Sequence, residues 1–153
     1  MNRELLGLIV WMLFVFAASL TGLFVSTDGW YAELSKPAWN PPNWIFGPVW
    51  TVLYIMMAVA AWRVWLKGGW SSQRVPLVLF VVQWALNALW TPLFFGLHLL
   101  GWALIEILIL LLFILLTILA FRQVDRIASF LLVPYAIWVA FASVLNFTLW
   151  QMN

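Results

Sequence analysis

The chain has 153 residues, 67% of them hydrophobic and 8% charged, with 13 Trp, 12 Phe, no Cys and a mean hydropathy of +1.06. A soluble domain carries roughly 25% charged residues, so the composition excludes a water-facing globule and a disordered chain and, for want of a thiol, any disulfide framework or thiolate metal site. The net charge of +2 comes from seven basic residues scattered along the chain, which make no patch for nucleic acid.

Five apolar stretches follow in chain order, and they predict an all-α membrane protein, a bundle of five transmembrane helices forming one domain over 1–153. The first runs over about 5–25. Arg3 before it and Ala17-Ala18-Ser19 within it resemble a signal peptide, but the unbroken run outlasts a signal core of about 7–15 residues, so it is expected to stay as the first helix. The joint 26–43 holds Pro37, Pro41 and Pro42, which break a helix, and Trp30, Tyr31 and Trp39, which favour a loop packed on the protein. The second stretch covers 44–66 and ends in a polar turn, 67–74. The third covers 75–97, and the short apolar joint from Gly96 to Gly101 predicts a tight antiparallel hairpin with the fourth, 101–121. A polar joint, 122–127, precedes the fifth, 128–150. Stretches of about 21–23 residues span roughly 32–34 Å as helices, the thickness of a bilayer core, whereas barrel strands are about 10 residues long and alternate in polarity.

With five helices, Arg3, Arg63, Lys67, Arg74, Arg122 and Arg126 fall on one side, and Lys36 faces Asp28 and Glu33 on the other. This positive-inside bias predicts a cytoplasmic amino terminus and an outer loop 26–43. No internal repeat is apparent, which weakens an analogy with inverted-repeat transporters.

Trp11, Trp62, Trp65, Trp70, Trp102 and Trp150 suit an interfacial belt. Trp50, Trp84, Trp90 and Trp138 lie deeper, where an indole N–H needs a partner from protein or ligand. Helical phase groups Trp50 with Tyr54; Asn87 with Trp90 and Phe94; and Trp138 with Ala142 and Asn146. Pro92 bends the third helix by freeing the carbonyl of Ala88. These faces fit an aromatic cavity under the loop, with two amides, for a large, flat, mostly apolar ligand. Taken singly, each residue fits plain helix packing better, since an intramembrane Asn often only bridges helices; taken as a cluster beneath a Pro-rich loop, they favour a site.

Glu106 is the one carboxyl deep in a span. Intramembrane carboxylates often mark function, but with no cation at its depth the expectation is a snorkelling or hydrogen-bonded side chain. His98 has no second imidazole to share a metal and reads as interfacial. No phosphate loop, no nucleophile–base pair and no metal cluster is evident, so hydrolysis, phosphoryl transfer and metal catalysis lack support.

Trp30-Tyr31, Lys36-Pro37-x-Trp39-Asn40-Pro41-Pro42, Pro48-x-Trp50, Asn87-x-x-Trp90-x-Pro92-x-Phe94-Phe95-Gly96, Pro134-Tyr135-x-x-Trp138 and Leu145-Asn146 together resemble the TspO/MBR family of tryptophan-rich sensory and translocator proteins, in its bacterial branch. The resemblance covers essentially the whole chain. It implies a five-helix bundle in a bacterial cell membrane, among membrane lipid, commonly a homodimer, with a loop-covered cavity for protoporphyrin IX, related tetrapyrroles or benzodiazepine-site ligands. No covalently bound cofactor is implied; the porphyrin is a ligand. Trp30, Trp39 and Asn87 match cavity-lining positions, and Ala142 matches a small position whose enlargement crowds the pocket. Some relatives degrade protoporphyrin in light using two tryptophans that match Trp50 and Trp138. Phe147 and Gln151 stand where animal members have a Tyr and a basic residue of a sterol motif, so the resemblance carries no expectation of tight sterol binding. A porphyrin-binding sensor, a photo-oxidase, and a transporter or structural protein without catalysis remain the competing readings.

Overall fold

Five helices long and apolar enough to cross a bilayer make up most of the computed structural model, which describes residues 2–25 and 29–153. They are α1 (Arg3–Phe24), α2 (Asn43–Trp65), α3 (Arg74–Gly96), α4 (Leu100–Val124) and α5 (Arg126–Met152). No strand occurs among the described residues. Ser26, Thr27 and Asp28, where the expected loop begins, lie outside them.

The Asn2 side chain caps α1 by accepting the Glu4 N–H at 2.9 Å. α1 is α-helical to Phe16 and then winds tighter, as a 3-10 helix over Ala17–Phe24. Here the sequence turns small and hydroxylic. Ser19 Oγ donates to Phe16 O at 2.7 Å and Thr21 Oγ1 to Ala18 O at 2.9 Å, so side chains compete for the carbonyls of the ordinary ladder. α2 begins directly after Pro41-Pro42. It ends in a turn that needs glycine, with φ of 123° at Gly68 and 65° at Gly69.

α3 changes register at Pro92, which has no N–H to give. A π turn over Pro92–Gly96 follows, closed by Leu97 N donating to Pro92 O at 2.9 Å. The hairpin to α4 is as tight as expected, and it places His98 at φ 57°.

The expected polar joint 122–127 shrinks to one residue. α4 continues to Val124, and Asp125 caps α5 by accepting the Ala128 N–H at 2.9 Å, so α5 starts at Arg126 rather than 128. Arg63 of α2 reaches across to the same carboxylate at 2.8 Å. α5 interrupts at Leu132 and restarts at Val133-Pro134, where Pro suits a first turn.

The helices close into a ring in the order α1, α2, α5, α4, α3, with the 3-10 part of α1 against α3. Ala58, Ala60 and Ala61 of α2 are fully buried and allow close helix approach, while Phe80 stacks on Phe121 at 5.9 Å in the core. Leu13, Leu112, Leu119 and Ile137 face outward, as lipid-facing positions must. Trp11 departs from the belt expectation. It is 6% exposed, meets Phe80 edge-on at 5.7 Å and stacks on Trp70 at 6.2 Å, because the 68–69 turn swings Trp70 back onto α1.

Candidate functional site

A cavity of about 440 Å³ occupies the half of the bundle under the loop. All five helices contribute to its wall. Trp50 and Tyr54 come from α2, Asn87, Trp90 and Phe94 from α3, and Trp138, Ala142 and Asn146 from α5. Helical phase therefore brings these eight together. Trp50 lies 5.4 Å from Tyr54 and 6.2 Å, edge-on, from Tyr135. Trp138 lies 5.8 Å from Phe46 and 5.5 Å from Phe141. Trp90 stacks on Phe94 at 4.7 Å.

Trp30 and Trp39 do not line the cavity. The Trp30 ring lies flat on His98 at 4.1 Å and edge-on to Phe94 at 5.7 Å, so it braces the α3–α4 hairpin. Trp39 is 47% exposed and leans edge-on against Phe141 at 5.9 Å. Their neighbour Tyr31, in the short helix Trp30–Glu33, turns inward instead. Its hydroxyl donates to Asn40 Oδ1 at 3.0 Å, and Lys36 Nζ sits 4.8 Å over its ring. Burial raises the Tyr31 phenol above its ordinary value and keeps it a neutral donor.

The two amides on the wall are already engaged by protein. Tyr54 OH donates to Asn87 Oδ1 at 3.0 Å, Asn87 Nδ2 donates to Tyr135 OH at 3.1 Å, and Tyr135 OH donates to Gln83 Oε1 at 2.8 Å. This chain ties α2, α3 and α5 together. Trp90 Nε1 donates to Asn146 Oδ1 at 3.2 Å, and Asn146 Nδ2 donates to Leu100 O at 2.9 Å, joining α3, α5 and α4. Trp84, the fourth deep indole, donates to Val15 O at 3.2 Å and stacks on Phe14 at 4.2 Å. The indole N–H groups of Trp50 and Trp138 differ, since neither meets an acceptor among the described residues. Unpaired donors beside a cavity are available to a ligand.

Residues that sequence reasoning passed over complete the wall. Ser19, Thr21 and Gly22 come from the 3-10 part of α1, and Ile107 and Leu110 from α4. Tyr135, fully buried, is the junction of the longer polar chain; its i,i+3 spacing from Trp138 was the available signal. Glu106 neither snorkels nor finds a hydrogen bond. It is 7% exposed and both carboxyl oxygens lack a described partner, as does Gln83 Nε2. Among the described residues no cluster of three metal-ligating side chains comes together.

Compared with known proteins, the chain matches the TspO/MBR family over residues 8–151. It is 44% identical over 158 residues to tryptophan-rich protein TspO of Chlorobaculum tepidum, covering 100% of this chain and 99% of that protein. It is 43% identical to the tryptophan-rich sensory protein of Cereibacter sphaeroides, over 90% of this chain and 85% of the relative. It is also 43% identical to the human translocator protein, over 85% of this chain and 79% of the relative.

Proposed function

The chain belongs to the TspO/MBR family of membrane proteins, and from that premise we propose that its cavity binds a protoporphyrin IX-type tetrapyrrole for sensing, regulation or transport. The observation that carries this reading is a cavity of about 440 Å³ faced by Trp50, Trp90 and Trp138, in which two of the three indole N–H groups meet no acceptor among the described residues. Ligand cavities of about 300–1,000 Å³ with mostly aromatic walls and few polar groups suit a large apolar ring system, held by stacking and oriented by a few hydrogen bonds. Trp50 and Trp138 are the groups assigned to light chemistry. An excited porphyrin takes one electron from an adjacent indole and passes it to dioxygen, giving superoxide. The indole radical cation regains its electron from the porphyrin, and the porphyrin radical cation combines with superoxide, so that dioxygen is the oxidant and the porphyrin is what is oxidised. The cavity fixes ring and porphyrin side by side, which is its contribution to rate.

Titrating purified protein with protoporphyrin IX in the dark tests the binding claim. Saturable quenching of Trp emission is expected, and its absence rejects the assignment. The names of the relatives favour a sensory or translocating role in the membrane, within which a homodimer is part of the proposal.

The orientation proposed is a cytoplasmic amino terminus with the loop outside. Because the chain has no Cys, a single Ser35→Cys or Ser71→Cys can be labelled in intact cells. Labelling at 35 and protection at 71 is the expected pattern; the reverse overturns the orientation.

A further inference from the structure

A second cavity, about 370 Å³, opens at the opposite end of the bundle between α1, the end of α2 and α3. Its walls are apolar rings and branched chains, among them Trp11, Trp65, Trp70 and Val81, and its one charged lining residue is Arg3. The walls are held in place. Gly7 lets Trp65 lie against α1, since a Cβ there would meet Trp65 Cζ3 at 2.5 Å. Trp62 Nε1 donates to Glu4 O at 2.9 Å and ties α2 to α1, and Trp70 stacks on Trp11 at 6.2 Å. Arg3 lies over the Trp65 ring at 5.6 Å and forms no ion pair with a described residue. Cation–π contact with the ring face leaves its in-plane N–H groups free to donate.

Charge and length select an occupant. Arg3, Arg63, Lys67, Arg74, Arg122 and Arg126 all lie at this end, and among the described residues Arg63 is the one of them held by a carboxylate, Asp125. Glu4 is the acidic neighbour of Arg3, but adjacent residues on a helix do not face each other. From Arg3 to Phe14, the stretch of α1 that lines the cavity rises roughly 16 Å, about the depth of one bilayer leaflet.

We propose that this groove seats one acyl chain of an anionic phospholipid from the adjoining leaflet, with the phosphate headgroup on Arg3. Inside a bilayer an apolar wall alone gives no preference, because lipid tails are as apolar as the groove. The rigid rings therefore set where the chain lies, and the cations set which lipid is kept. A basic side chain near an anionic headgroup favours it by about fivefold. The site is separate from the loop-side cavity and does not depend on what that cavity binds.

The test extracts full-length protein gently from vesicles of equal parts phosphatidylcholine and phosphatidylglycerol, both dioleoyl, and counts retained lipids by native mass spectrometry. Wild type is expected to retain one phosphatidylglycerol about fivefold over phosphatidylcholine. Arg3→Gln, at an exposed position, is expected to bring the two lipids to parity, and Val81→Trp to lose the retained lipid of either class. Soluble glycerophosphoglycerol should not displace it. Equal retention of both lipids by wild type, an unchanged ratio in Arg3→Gln, full retention in Val81→Trp, or displacement by the free headgroup would each overturn the assignment. The helical circular dichroism of each variant reports folding independently.

Discussion

The two ends of the bundle build cavities from the same residue, tryptophan, and arrive at different chemistry. Under the loop, Trp50 and Trp138 share a wall with Tyr54, Asn87 and Asn146, and hydrogen bonds lock the surrounding helices together. At the basic end, Trp11, Trp65 and Trp70 enclose a groove with no polar wall group beyond Arg3. An indole thus supplies area in both places, and the polar groups around it decide the ligand. Amides and phenols bonded to one another brace a chamber in which the Trp50 and Trp138 N–H groups meet no acceptor among the described residues. A lone guanidinium on an apolar slot leaves a site that discriminates by charge.

Four changes break or sharpen this contrast, the largest first. Ala142→Phe places a ring inside the loop-side cavity, and crowding a packed site costs about 1–3 kcal/mol. Porphyrin affinity is expected to fall at least tenfold in a dark titration, while retention of anionic lipid at the other end stays as in wild type.

Tyr135→Phe deletes the junction of the polar chain and orphans Gln83 Oε1 and Asn87 Nδ2. Interhelical bonds of this kind contribute about 0.6–1.7 kcal/mol each in membranes. A loss of about 1–2 kcal/mol in unfolding by denaturing detergent is expected. A change under 0.3 kcal/mol would show that the chain does not brace the cavity.

Asp125→Asn acts at the basic end. Burial, the largest influence, pushes the Asp125 carboxyl up, but bonds from Ala128, Arg63 and Ile127 together outweigh it and hold the carboxyl below its ordinary value. A depressed folded value means that the contribution is present above the unfolded value, about 3.9, and is lost as pH falls through the folded one. Asn caps a helix nearly as well as Asp, so this variant removes the ion pair and keeps the cap. Arg63 is 31% exposed, and the expected cost is about 0.5–1 kcal/mol near neutrality. The gap between the thermal midpoints of wild type and variant should begin to narrow below about pH 4 and close once pH falls past the folded value; a gap that does not narrow below about pH 4 contradicts the account.

The smallest effect is at the loop. Asn153 bridges Ser35 reciprocally, accepting its N–H at 2.9 Å and donating to its carbonyl at 3.0 Å. Asn153→Ala is expected to speed hydrogen exchange at the Ser35 amide by about two- to fivefold, without altering porphyrin affinity.

Much of this architecture was legible beforehand, and the reasons are local. A span is a property of its own residues, so runs such as that between Leu100 and Val124 announce themselves, and helical phase places Asn87, Trp90 and Phe94 on one face. What escaped depends on neighbours. Trp11 reads as a belt residue until Gly7, Trp65 and Trp70 enclose it. Asn87 and Asn146 line the cavity as their helical phase implies, but the bonds that Tyr54, Tyr135 and Trp90 make to them come from three different helices and are not visible in a single run of residues. The role of α1 in the wall arises from the 3-10 winding after Phe16, driven by Ser19 and Thr21, which a count of apolar residues does not register. Trp30 and Trp39 were placed by their motif, and the inward turn falls to Tyr31 between them.

The central claim is that the loop-side cavity holds a tetrapyrrole against Trp50 and Trp138. Its most direct test is to illuminate porphyrin-loaded wild type, Trp50→Phe and Trp138→Phe in air and follow porphyrin absorbance. The account predicts that all three bind in the dark, with affinities within about threefold, a loss under 1 kcal/mol, and that light-dependent loss of absorbance is fast in wild type and abolished in both variants. Equal bleaching in wild type and variants, at equal occupancy, would contradict it.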